Sequence, residues 1–197
     1  MKQVDILPPY CYPIDGITVD QKQLYDSIIT LLDRLCLDID DICSKMGFAI
    51  NLTHLPGLVG EDAWRKYSAS HVHLVGQNID EANFTEHLKE AEDLYVGKLV
   101  HKLYDRHHGF CGRTQLIWLG PNNGYRFHND PHTPNRYHVP IVTNTDCYWL
   151  FKDDIDVYKL HMPADDRVWY LDPINITHTF HNGSNTARLH LLLTSAT

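Results

Sequence analysis

Two hydrophobic patterns divide the chain near Gly112. Before it, apolar residues recur at helical spacing. Leu24, Ile28, Leu31, Leu32 and Leu35, between Val19 and Met46, predict one long helix or two short ones. Phe84, Leu88, Ala91, Tyr95, Leu99 and Leu103 form one stripe and predict a second helix from Asn83 to Arg106. Gly97 weakens that stripe, since glycine inside a helix costs about 1 kcal/mol against alanine. The run Phe48 to Leu52 alternates like a strand, and residues 54–62, with Pro56, Gly57 and Gly60, read as a loop. Residues 1–18, rich in Pro and aromatics, are expected to lie extended across the surface.

After Gly112 the period changes to two. Short alternating or β-branched runs fall at 114–119, 124–130, 136–142, 147–151, 157–162, 167–172, 176–181 and 187–194. Turn residues such as Gly120-Pro121-Asn122-Asn123-Gly124 and Asn182-Gly183-Ser184-Asn185 separate them. Eight short strands at this spacing predict an antiparallel sandwich or barrel, its outer face covered by the helices of the first half. The expected architecture is therefore mainly β with some α. We expect one domain over 1–197, with a helical covering segment in 1–111 and a β-core in 112–197.

Composition narrows the partners. The chain has 197 residues, enough for one substantial core, and 43% hydrophobic against 21% charged residues, ordinary for a globular protein. Net charge is −8 and no run of Lys or Arg offers a footprint for phosphate, which argues against nucleic acid and anionic membrane as partners. Five cysteines, an odd number without a CxxC pair, fit reduced thiols. The start MKQVDILPPY lacks a signal-like apolar stretch, so a soluble, cytoplasmic protein is expected. The clusters Asp38-Ile39-Asp40-Asp41 and Asp153-Asp154-Ile155-Asp156 lack calcium-loop spacing and read as solvated turns.

Candidate chemistry lies in the second half. In a strand, residues two apart point the same way, so His128 and Asp130 can present an imidazole and a carboxylate to one point. With 14 histidines in the chain such a pair proves little alone, but His178 follows near the last strands. Two histidines and a carboxylate are the facial ligand set of non-haem Fe(II) oxygenases, leaving positions for O₂ and a cosubstrate. Arg188 lies ten residues beyond, on an alternating strand. Pointing inward, it would be an expensive unpaired charge unless an anion such as a dicarboxylic acid met it. Arg136 and His138 share a face of their strand and add donors suited to a carboxylate.

The stretch HNDPHTPNRYHVPIVTN, followed by WYLDPINITHTFHNGSNTARLHLLL, resembles the aspartyl/asparaginyl β-hydroxylase family of 2-oxoglutarate- and Fe(II)-dependent oxygenases, over about residues 113–194. The resemblance implies that His128 and His178 bind iron, that Arg188 pairs with the distal carboxylate of 2-oxoglutarate, and that Arg136 and His138 help to hold it. It implies a double-stranded β-helix, or cupin-like jelly roll. It also implies hydroxylation of an amino acid or amino-acid residue, with O₂ consumed and succinate and CO₂ released. Vertebrate-type members lack the carboxylate ligand; the presence of Asp130 is closer to the free-amino-acid hydroxylase branch and favours hydroxylation over halogenation.

Several rival assignments stand beside these. His132 is a second possible ligand in a Pro-bracketed turn, His71-Val72-His73 resembles part of a three-histidine cupin site, and His107-His108 suits a helix end. Arg136 can instead pair with an acidic residue nearby, and His138 can be structural. Trp118, Tyr125, Trp149 and Trp169 read mainly as barrel core. Loops 54–82 and 152–157, with the N-terminal segment, are expected at the substrate mouth. The alternatives for function are a cupin-like metalloenzyme independent of 2-oxoglutarate and a non-catalytic binding barrel.

Overall fold

The computed structural model describes residues 1–68, 76–106, 111–130 and 135–195. His71, His73, His107, His108 and His132 lie outside them. Two sheets dominate. Strands β1 (Lys2–Val4), β10 (Val157–Leu160), β9 (Cys147–Lys152), β12 (Thr177–Asn182) and β7 (Asn123–Gly124) form the smaller, in that order. The larger runs β2 (Cys11–Ile14), β11 (Val168–Leu171), β8 (Arg136–Val142), β13 (Arg188–Ser195), β6 (Cys111–Leu119) and β3 (Gly47–Asn51). Neighbours are antiparallel except β1 and β10. The expected span of β8 is met, and that of β13 is met to within one residue.

The period of two sorts the larger sheet into an apolar outer face and a polar inner one. Leu189, Leu191 and Leu193 of β13, with Tyr137, Val139 and Ile141 of β8, pack outward against the helices. Arg188 and His190, with Arg136 and His138, face inward and line a cavity between the sheets. At the other end of that space, Trp149, Phe151, Leu160, Trp169, Leu171 and Phe180 close an apolar core from both sheets. The fold thus buries its grease on one side of β8 and β13 and keeps polar groups on the other.

The helix expected over 19–46 is two helices. In α1 (Gln21–Arg34), Asp20 caps the start by accepting from the Gln23 amide at 2.9 Å, and Leu24, Ile28, Leu31 and Leu32 are its buried stripe. Cys36 then turns into the left-handed region (φ 54°), which ends the helix. Asp38 caps α2 (Ile39–Ser44) by accepting from the Asp40 amide at 2.8 Å. The first acidic cluster is therefore a helix start rather than a plain turn, while Asp153 does hold a turn through the Ile155 and Asp156 amides.

The expected helix 83–106 is corrected in its first half. Only α4 (Tyr95–Arg106) is helical; Glu81–Asn83 and Lys89–Ala91 are single 3₁₀ turns. Between them β5 (Glu86–His87) pairs with β4 (Thr53–His54), and the Leu88 amide donates to the Leu52 carbonyl at 2.9 Å. That backbone pairing competes with a helix, yet Phe84, Leu88 and Ala91 remain buried, which is why their spacing imitated one. Gly97 is explained by packing: a Cβ there would meet the Ala91 carbonyl oxygen at 2.1 Å. The loop expected over 54–62 contains the end of β4 and the start of α3 (Glu61–Arg65).

Two further expectations change. Residues 1–18 do not simply cross the surface: β1 and β2 extend the sheets at their edges, and Cys11 is fully buried. The strand expected over 124–130 is reduced to β7 and one bridge at His128. The described cysteine side chains, Cys11, Cys36, Cys43 and Cys147, are free thiols. No helix among the described residues is long and apolar enough to cross a membrane.

Candidate metal centre

The interrupted strand carries the first two candidate ligands. Gly124 faces His181 and His128 faces His178, so four steps on one strand oppose three on the other, a bulge that re-aims the segment. Beyond it, His128 and His178 exchange backbone hydrogen bonds at 3.0 and 2.9 Å, which sets their rings side by side with centroids 4.6 Å apart. Asp130, two residues on, is buried and anchored by its amide donating to the Pro173 carbonyl at 3.0 Å. Asn129 points the other way, toward Ile174 and Thr177.

Ring orientation is fixed from behind. The Nδ1 atoms of His128 and His178 lie 2.8 and 3.0 Å from the carbonyls of Arg126 and Ile176, so each Nδ1 carries the proton and each Nε2 is left to bind a metal. His128 Nε2 is 3.7 Å from Asp130 Oδ1. One ligand atom from each of His128, Asp130 and His178 lies within 4.8 Å of the others, the one such trio among the described residues. Burial pushes the His178 imidazole down to about 4, with neighbouring His128 adding to the shift, so the ring is neutral, the form that ligates.

Asp130 has a second partner. Its Oδ2 lies 3.0 Å from Arg136 Nη2, and the same guanidinium nitrogen lies 3.8 Å from Glu81 Oε2. Glu81 is buried at 2% exposure, ion-paired to Arg113, and accepts from Thr194 Oγ1 at 3.1 Å. Burial lowers the Arg113 pKa to about 10, with the Glu81 carboxylate working against the fall. Arg136, expected at the cosubstrate, thus has its guanidinium on the candidate metal carboxylate while lining the same cavity.

One wall of the cavity carries a buried guanidinium, that of Arg188. Arg188 is buried, its guanidinium stacks 3.5 Å over the Phe180 ring, and Nη2 donates to His190 Nδ1. No carboxylate among the described residues lies within ion-pair distance of it, and its Nε has no partner. Burial lowers its pKa to about 9. Around it, both ring nitrogens of His138, His190 Nε2 and Trp149 Nε1 have no hydrogen-bond partner among the described residues. Burial, reinforced by Arg188, holds His138 and His190 well below the ordinary histidine value, so both are neutral. The result is a pocket rich in hydrogen-bonding nitrogens around Arg188.

The cavity measures about 690 Å³ and joins this pocket to the His128, Asp130 and His178 trio. No protein-family model matches the sequence, and comparison with curated proteins gave no match. Solved structures are similar in fold. A prolyl hydroxylase from Trichoplax adhaerens, solved with a hypoxia inducible factor peptide fragment, superposes with a TM-score of 0.54 at 12% identity, covering 95% of this chain and 84% of that one. An oxidoreductase of the 2OG-Fe(II) oxygenase family from Burkholderia pseudomallei gives 0.53 at 11% identity, covering 98% and 93%. The chain has the fold of the 2-oxoglutarate/Fe(II) oxygenases. A non-heme monooxygenase solved as a nickel complex shares that oxygenase fold at a TM-score of 0.50 and 12% identity, covering 93% of this chain and 71% of the other.

All six residues expected at the site, His128, Asp130, His178, Arg136, His138 and Arg188, line the one cavity. The expected mouth is corrected in part. Arg65 and Ser68 line it, but no described residue of 1–18 or 152–157 does; Gly47, Phe48 and Ala49 of β3 take that place. The reason is that β1 and β2 are consumed as edge strands. Trp169 is core, Trp118 and Trp149 belong to the core and also line the cavity, and Tyr125 is half exposed beside it. Sequence reading missed Glu81, Arg113 and His190. The last two fall on the inward register of β6 and β13, a usable signal, whereas Glu81 sits in an irregular turn and carries none.

Proposed function

We propose that the protein is a 2-oxoglutarate- and Fe(II)-dependent oxygenase that hydroxylates an amino acid or amino-acid residue, related to the aspartyl/asparaginyl β-hydroxylases that its second half resembles. One observation carries the reading: a buried, acid-free guanidinium, Arg188, shares a cavity with two imidazole Nε2 atoms and a carboxylate that converge. A buried guanidinium that no carboxylate among the described residues pairs is costly unless a ligand anion completes it. A metal alone leaves it unmet; a dicarboxylate reaching from the metal does not.

In this reading His128, Asp130 and His178 would hold ferrous iron, a ligand set whose chemistry fits that metal. Arg188 pairs with the distal carboxylate of 2-oxoglutarate. His190, its Nδ1 occupied by Arg188, offers an Nε2 proton, and His138 and Trp149 supply further donors. Arg136 holds Asp130. The loaded cofactors supply the oxidation, coupling loss of CO₂ from 2-oxoglutarate, which becomes succinate, to insertion of oxygen from O₂ into a C–H bond. Leu171, Phe180 and Leu192 contribute apolar wall to the pocket.

Anaerobic difference spectra test this directly. Adding Fe(II) and then 2-oxoglutarate is expected to raise a weak visible charge-transfer band, absent in His178→Ala. Iron binding without a band rejects the 2-oxoglutarate assignment and favours a cupin-like metalloenzyme. No iron binding rejects the metal centre and favours a non-catalytic barrel.

A further inference from the structure

We infer that Glu81, from the 3₁₀ turn far upstream of the ligands, is a positioning residue that sets the metal affinity of Asp130 through Arg136. The inference rests on the proposed metal centre. Four charged groups, three of them buried and Arg136 partly so, form a chain: Arg113 to Glu81, Glu81 to Arg136 at 3.8 Å, and Arg136 to Asp130 at 3.0 Å. Across these pairs two guanidiniums meet two carboxylates, so their charges balance one against one.

Its geometry divides the labour of Asp130. Arg136 takes Oδ2, leaving Oδ1, 3.7 Å from His128 Nε2, as the oxygen facing the other two ligands. Glu81 in turn keeps Arg136 from claiming the carboxylate more fully. It can do so because it is pinned on its far side by Arg113 and by Thr194 Oγ1 at 3.1 Å. Without the negative charge of Glu81, two guanidiniums face one carboxylate beside a site meant for a divalent cation. Repulsion of that cation and tighter capture of Asp130 by Arg136 then act in the same direction. The turn 81–83 is also stitched to the sheets by backbone: a Cβ on Gly112 would meet the Glu81 carbonyl at 2.4 Å, so Glu81 has little room to move away.

The test is Mn(II) affinity, read by paramagnetic resonance on the full chain without 2-oxoglutarate or turnover. Wild type should bind through His178, with binding lost in His178→Ala. Glu81→Gln should bind Mn(II) about 10- to 100-fold more weakly. Adding Arg113→Met, which restores the charge balance, should recover part of the loss. A group that only supports the fold would not respond to that second substitution. Where Glu81→Gln fails to fold, Thr194→Val, which frees one side of Glu81, should give a smaller loss of affinity in the same direction. Folded Glu81→Gln binding within about twofold of wild type overturns the inference and leaves the metal centre standing. No His178-dependent binding in wild type overturns both.

Discussion

Arg188 and the histidines around it are where single residues decide the chemistry. Truncating a buried charge-assisted contact costs about 1.5–3 kcal/mol, so Arg188→Met should weaken 2-oxoglutarate binding to the anaerobic Fe(II) protein roughly 10- to 150-fold by calorimetry. The same change removes an uncompensated buried charge, so the metal-free variant should melt no lower than wild type. A clear drop in melting temperature would mean that Arg188 is structural. The neutral histidines make a separate prediction. His178, held near 4, and His138 and His190, held low by burial, stay uncharged in the fold while their unfolded counterparts protonate below about 6.5. The unfolded state then binds more protons, so stability should be full above about pH 6.5 and fall as pH drops toward 4. Urea midpoints of the metal-free protein at pH 7.5, 6 and 5 measure this; equal midpoints would contradict it.

At the scale of elements, the helices answer to contacts that periodicity alone does not display. Helix α4 carries Gly97 because the 3₁₀ turn at Lys89–Ala91 lies against it. Gly97→Ala should therefore destabilise the protein by about 1–3 kcal/mol from overpacking, although in a free helix alanine would gain about 1 kcal/mol. A denaturation midpoint that rises would show that the two backbones can part. The residues Phe84, Leu88 and Ala91 carry the same lesson: an apolar stripe records burial, and burial at intervals of three or four can be met by turns as well as by a helix. On the strands the sequence was easier to read, because β8 and β13 have polar and apolar faces of opposite kind and a slip of one residue would turn Arg136, His138, Arg188 and His190 into the helical core.

The whole molecule joins two halves of the chain at one site. Three strands of the first half complete the sheets, and Glu81, from the same half, reaches Arg136, which pairs with the candidate ligand Asp130. Ligands that bind only the folded state should therefore stabilise the molecule as a unit. With metal and 2-oxoglutarate each well above their dissociation constants, about 2.7 kcal/mol per hundredfold excess corresponds to a melting-temperature rise of roughly 5–10 °C. Scanning calorimetry with Mn(II) and 2-oxoglutarate, reversed by a chelator, measures it. An unchanged melting temperature would count against a cavity built for both.

Short-range rules account for three features legible in the chain: a β-rich second half from the period of two, the shared side of His128 and Asp130, and the inward register of Arg188. Those follow from strand geometry and from the cost of burying a charge. Tertiary structure alone decided the rest. The bulge that turns His128 toward His178, the commitment of Arg136 to Asp130, and the arrival of Glu81 from a turn with no pattern all depend on which distant segments meet. Ion pairs and backbone pairing across the fold set them, and neither leaves a period in the chain.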